Sequence, residues 1–286
     1  MPSTHAHKVF GDRVAAGYPA PLRALAEQHR ALFHIGLHGP DILFYYKPLF
    51  VNPVNSVGFG QHSKPAAVFF GPAAEQVRST PAEEQGPMRA YLLGFLCHFA
   101  LDSACHGYIE HKIAVSGVPH TEIEGEFDRS LLVEAGRDPL REDLAAHITP
   151  SAEASAVIAP FFPGVTPEQV ERSLRSMRFY NRLLVAPGGP KRALVNGVLK
   201  VTGNYKEMHG MLLNRQPNPA CEDSSLRLKK LMDRAVGECL RLTEAYWPCL
   251  EGESPLPREM ERTFGPGADW REIPVLPVKE ELVYEV

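Results

Sequence analysis

The 286-residue chain lacks a strong charge of either sign: 30 Lys and Arg against 34 Asp and Glu leave a formal −4. That balance excludes a surface built mainly to grip nucleic acid, so no stable nucleic-acid partner is expected, although a small phosphate site remains compatible with it. No apolar run approaches the roughly 20 residues of a membrane-spanning helix, so no transmembrane segment is expected. The opening Met1-Pro2-Ser3-Thr4-His5 has no basic n-region and no apolar h-region. It predicts no signal peptide, and hence a cytoplasmic protein with at most transient contact with a membrane surface. Cysteine is sparse, and Cys97, Cys105, Cys221, Cys239 and Cys249 have neither zinc-finger nor CxxC spacing. Reduced, buried thiols are the expectation. No internal repeat is visible, and no strand alternation beyond a short apolar piece near 274–277. The predicted class is all-α.

Against those absences stand 12 histidines. The most informative stretch is Gly94-Phe95-Leu96-Cys97-His98-Phe99-Ala100-Leu101-Asp102-Ser103-Ala104-Cys105-His106. His98, Asp102 and His106 are spaced four apart on an otherwise apolar helix predicted over about 87–113. Four residues rotate a helix by roughly 40° past a full turn, so the three side chains share one face. A buried face rarely carries such groups unless something pairs with them.

Around that helix the periodicities predict short helices over 7–16, 21–36 and 64–78, and another from His120 to about 135 whose Glu122 and Glu124 suit a helix N-terminus. Gly and Pro punctuation marks 37–65 as loop. Weaker amphipathic pieces lie near 139–147, 152–159 and 167–184. Residues 190–213 are helical in pattern, but Gly197, Gly203 and Gly210 put their continuity in doubt. A last helix spans 224–247, capped by Asp223 or Ser224. One domain is expected over 1–250, followed by a Pro- and Glu-rich tail over 251–286 that wraps the surface or stays mobile.

In chain order the candidate metal ligands are His7, Asp41, His62, His98, Asp102, His106, His120 and Glu124. Asp41 sits in the rigid turn Gly39-Pro40-Asp41-Ile42, His62 in the Gly58-Phe59-Gly60-Gln61 loop, and His120 and Glu124 form a second i, i+4 pair. Imidazole and carboxylate without thiolate suit zinc in a hydrolytic role, with manganese or iron as alternatives. The set is too large for one tetrahedral ion and suits two or three, with Asp102 as the natural bridge.

The Gly39-Pro40-Asp41-Ile42 turn, Gly94-x3-His98-x3-Asp102-x3-His106 and His120-x3-Glu124 together resemble the zinc-dependent phospholipase C family, which shares an all-α fold and a trinuclear zinc site with the S1/P1 nucleases. The resemblance is clearest over residues 3–130. It implies that Asp41, His62, His98 and Asp102 hold one zinc, His106, His120 and Glu124 a second, and His7 with the shared Asp102 the third. It also makes Asp41 a candidate general base toward the attacking water. Secreted members complete the third site with an N-terminal Trp, which this chain lacks. Pro2, exposed by removal of Met1, or His5 is the candidate replacement; a weak or empty third site is the alternative.

Phe44, Tyr45, Tyr46 and Phe59 are candidate pocket residues, since aromatic faces suit a cationic head group; a plain core role competes for them. His38 is near enough to Asp41 in sequence to support it. His29, His34, His111, His147 and His209 read as surface or satisfied core. Lys191, Arg192 and Lys200 read either as contacts to an anionic substrate or as a solvated basic face. The function expected is a phospholipase C-type phosphodiesterase acting on a phosphoester, with phospholipid as the family's substrate class. The alternatives are a nuclease, 3′-nucleotidase or phosphomonoesterase acting on a soluble substrate, or a metal-binding protein without turnover.

Overall fold

One helix, α6 (Gln85–Ser116), runs through the middle of the molecule, and its sequence explains why. From Met88 to Leu101 only Arg89 and His98 interrupt an apolar run, so there is no polar face to give to water. Two hydrophobic clusters flank it. The computed structural model describes residues 4–203 and 205–286, and all regular structure among them is helical. No described helix is long and apolar enough to cross a membrane.

The first cluster packs α1 (Thr4–Gly17), α7 (His120–Glu134) and α12 (Glu222–Glu251) against α6 through Phe10, Val14, Leu101, Ile123, Phe127, Leu228 and Met232. The second gathers the 3-10 segment Gly39–Tyr45, α4 (Pro53–His62), α5 (Ala67–Ser79), α8 (Ala152–Ile158) and α9 (Pro167–Leu184) around Phe69, Phe70, Phe95 and Phe99. Helices α2 (Ala20–Gln28) and α3 (Arg30–Gly36) lie between, with α3 against α6. That contact is backbone to backbone. A Cβ on Gly94 would strike the Phe33 carbonyl, and one on Gly36 the Tyr91 carbonyl, so only glycine lets these helices meet.

Several boundaries differ from the sequence expectation. The 37–65 stretch is largely helical rather than loop. Pro40 and Pro53 start a 3-10 turn and a helix, and Asn52 forms a reciprocal capping box with Asn55. The residues that punctuate loops are also those that begin helices. The expected 21–36 helix breaks at His29, and 139–147 forms turns. Residues 190–213 divide into α10 (Gly189–Val201), α11 (Tyr205–Met208) and a 3-10 turn at His209–Met211, with Gly203 left-handed at φ 73°. Helix α12 begins at Glu222, and neither expected cap serves: Asp223 instead forms a buried pair with Lys112, and Ser224 bonds the Cys221 carbonyl.

The tail is packed. It carries α13 (Val278–Glu281), buries Met260 and Phe264, and sends Glu281 into a two-pronged pair with buried Arg227. The apolar piece near 274–277 is not a strand; an isolated bridge joins Pro65 and Thr263 instead. All five cysteines are buried and unpaired.

Candidate metal centre

Five separate elements deliver the predicted ligands. His98, Asp102 and His106 come from successive turns of α6, where Asp102 is 3% exposed and His98 fully buried. His7 comes from the first turns of α1, whose start is fixed to α7 because the Asp128 carboxylate accepts from the backbone N–H groups of His5 and Ala6. Asp41 comes from the 3-10 segment. Gly39 sets its direction, with φ at 47° and no room for a Cβ beside the His98 ring. His62 is the last residue of α4, and His120 and Glu124 occupy the first turns of α7.

The ligand atoms converge in three groups, each within 4.8 Å: His7, His98 and Asp102; Asp41, His62 and His98; His106, His120 and Glu124. Asp102 faces several of them. Its Oδ1 lies 3.1 Å from His7 Nε2, and its Oδ2 lies 3.2 Å from His98 Nε2, 3.7 Å from His62 Nε2 and 3.8 Å from His106 Nδ1. His62 Nε2 is 2.9 Å from Asp41 Oδ1, and His120 Nε2 is 3.0 Å from Glu124 Oε1. Proximity links His98 to both the His7 and the Asp41 groups.

These atoms approach without bonding. Both Asp41 oxygens, Asp102 Oδ2, Glu124 Oε2 and both His98 nitrogens are buried with no aligned hydrogen-bond partner. Lone pairs that converge on a point between groups, rather than on a proton of a neighbour, fit a cation. The backbone completes the fit: His62 Nδ1 bonds the Gly58 carbonyl and His106 Nδ1 the Phe264 carbonyl, at 3.1 and 2.8 Å. Each ring thereby donates through Nδ1 and presents the Nε2 lone pair. A cavity of about 20 Å³ lies between His7, Asp102, His106 and Glu124 on one side and Leu101, Phe127 and Leu228 of the first cluster on the other.

Electrostatics separates these histidines from their neighbours. Burial alone would lower His106, but the Asp102 and Glu124 carboxylates outweigh it and raise it to about 9. His7 and His62 are raised in the same contest, by Asp102 and Asp41 respectively. Burial would raise Asp102, but the adjacent imidazoles, His98 first, hold it well below the usual carboxylate range. Away from the carboxylates burial wins: His5 falls to about 4 and His147 to about 3, and His38 drops well below its ordinary value. A site that pulls protons onto its imidazoles is one where a metal cation can replace them.

His5 joins none of the three groups, and Pro2 lies outside the described residues. His38 turns its Nε2 to His147 Nε2 at 2.7 Å rather than to Asp41. Of the expected pocket aromatics, Phe44 stacks on Phe59 at 4.1 Å and lies 5.3 Å from the His62 ring. Tyr45 borders a cavity of about 40 Å³ shared with Glu124 and Asn181. Tyr46 instead packs beneath Lys47 and Arg172. Phe264 was not foreseen. Its ring lies 5.9 Å from His98 and 5.8 Å from His62, and nothing local in a Pro-rich tail marks it.

Residues 6–152 match the family described as zinc-dependent phospholipase C, just over half of the chain. No curated protein and no solved structure matches.

Proposed function

Starting from the chain's membership of the zinc-dependent phospholipase C family, we propose that it is a zinc-dependent phosphoester hydrolase of phospholipase C type, cleaving between glycerol and phosphate. The observation that carries this reading is the convergence of three His/Asp/Glu groups around unbonded, buried ligand atoms. His106, His120 and Glu124 would hold one zinc; Asp41, His62, His98 and Asp102 a second; His7 with Asp102 a third. Bound zinc supplies Lewis-acid neutralisation of the phosphoryl oxygens and a lower pKa for the attacking water. Asp41, buried with both oxygens unbonded, accepts that water's proton as general base. Asp102 holds the groups in register through its two oxygens. Phe264 and Phe44 wall the His62 side against bulk water, which strengthens every charge interaction inside. His120, with 36% of its side chain exposed, and the stacked Phe44–Phe59 pair stand where the centre meets solvent, and substrate approaches there.

The test is zinc per chain by elemental analysis, joined to a panel of short-chain phosphatidylcholine, single-stranded DNA and a 3′-nucleotide. Two or three zinc ions with turnover of the phosphatidylcholine support the reading. Turnover of a nucleic-acid substrate alone moves the protein to the nuclease branch. Full metal with no turnover of any phosphoester leaves a metal-binding protein and sinks the hydrolase.

A further inference from the structure

Between Arg172 and Lys206 the chain places eight of its 30 Lys and Arg residues and none of its 34 Asp and Glu residues. In a molecule of net −4 this is a local reversal of sign. The segment comprises most of α9, all of α10 and the start of α11. Within it, Lys191 and Arg192 donate to backbone carbonyls, and Lys200 lies over the Tyr205 ring. No carboxylate among the described residues forms an ion pair with these three cations, although Glu122 acts on Arg192 from a distance. Among the described residues of the segment, Arg175, Arg178 and Arg182 have carboxylate partners, in Glu171 and Asp143.

The same helices expose large apolar side chains. Phe179 is 60% exposed, Leu194 69% and Val201 90%, with Leu183 and Val198 also in solvent. On α10, Lys191, Leu194, Val198 and Val201 recur at spacings of three and four and therefore share one face. A neighbouring face, about 100° round the helix, is already used: Leu199 and Val195 pack with Ala186 and Leu212. Helix α10 is thus apolar on two sides, one buried in the fold and one turned outward beside Lys191. Nothing in the packing of the described residues accounts for the outward side.

We propose that the outer face of α9 and α10 docks on an anionic lipid surface. Thirteen residues give a helix about 20 Å long, enough to lie in the plane of a bilayer interface. Leu194, Val198 and Val201 enter the acyl boundary while Lys191 and the arginines of α9 meet anionic head groups. A single-stranded nucleic acid would match the charge, but it is recognised by a series of aromatic platforms, whereas this face offers the ring of Phe179 among aliphatic side chains.

The position suits the candidate centre. Asn181 and Leu184, on the inner side of α9, border the same cavity as Glu124 and Tyr45. Arg192 of α10 bonds the carbonyls of Leu212 and Leu213, and Leu213 lines that cavity too. The docking face therefore backs directly onto the wall of the cavity beside a metal-ligand group. That lipid is the substrate met there rests on the hydrolase reading; the docking rests on the surface alone.

Co-sedimentation of the full chain with vesicles tests it. Vesicles containing phosphatidylglycerol should carry down at least roughly ten-fold more protein than pure phosphatidylcholine vesicles, with the excess lost in high salt. The triple variant Leu194→Ser, Val198→Ser, Val201→Ser should lose the bound fraction, while hydrolysing a soluble chromogenic phosphodiester at the wild-type rate. Wild type that stays in the supernatant with phosphatidylglycerol vesicles overturns the docking, even if the phosphodiester is hydrolysed. Wild type that sediments but hydrolyses nothing keeps the docking and removes the hydrolase. Sedimentation unchanged in the triple variant, or tighter binding to single-stranded DNA that ignores it, also overturns the proposal.

Discussion

In residues 4–134 the informative polar groups face inward. Asp41, His98, Asp102 and Glu124 are buried at the junction of α1, α4, α6 and α7 and leave lone pairs unbonded. In residues 139–218 the arrangement is reversed. Basic side chains and aliphatic ones share the solvent face of α9 and α10, with α9 resting on the second cluster through Val170, Leu174 and Met177 and α10 on a small core of Ala186, Leu199 and Leu212. Burying a carboxylate is costly and persists only where a counter-charge repays it; exposing a valine costs little. The first region therefore demands an explanation within the site, and the second demands one from outside the molecule.

The contrast fails most visibly if the inward groups prove dispensable. Replacing Asp102 by Asn removes the charge that faces four imidazoles, and should lower phosphoester turnover by roughly 100-fold or more together with bound zinc. Steady-state kinetics and elemental analysis on one sample check both. Retained turnover would place the chemistry elsewhere. Next in size is the glycine contact behind the centre. Gly94→Ala drives a methyl into the Phe33 carbonyl and should cost about 1–3 kcal/mol in urea unfolding; a neutral result would mean that α3 can move off α6 freely.

The seam between the two regions gives a smaller effect with a pH signature. Glu122 of α7 accepts from His209, Asn218 and Asn214, and these bonds, the one from His209 first, lower its pKa from 4.5 to about 2. A folded pKa below the unfolded one means stabilisation that is complete above about pH 4.5 and disappears as pH falls through about 2. Glu122→Gln should cost about 1.5 kcal/mol near neutrality. The gap to wild type should close on acidification across that window, as read by thermal melts at stepped pH. A pH-independent gap would mean that Glu122 acts by shape alone. The smallest effect belongs to the outward face: Leu194→Ser with Val198→Ser should change stability by less than about 0.5 kcal/mol, since neither side chain is part of a core. A larger loss, measured by the same melts, would show that this face already has a partner within the fold.

The convergence of the candidate ligands was partly legible because they come in short local patterns. His98, Asp102 and His106 lie on one α6 face, and His120 and Glu124 on one α7 face, for the same reason of helical period. The Gly39-Pro40-Asp41 turn was legible through its glycine, which the structure uses in the left-handed region. Phe264 was not, because it reaches His98 and His62 across a separation in sequence that leaves no local trace. The helical state of 37–65 was hidden by proline and asparagine, which mark loops and helix starts alike. Likewise Asp223 looked like a cap and became the partner of Lys112, since a buried ammonium competes more strongly for a carboxylate than a helix end does.

Sequence alone determined the all-helical class, the candidate ligand types and which of them share a helix face, because a rise of about 1.5 Å and a turn of about 100° per residue are local properties of the backbone. Only the tertiary structure decided that five elements bring candidate ligand atoms into groups within 4.8 Å, that His38 turns to His147 instead of Asp41, and that the tail closes over His106. Those outcomes depend on how buried surfaces fit one another across the whole chain, and no window of residues contains that fit.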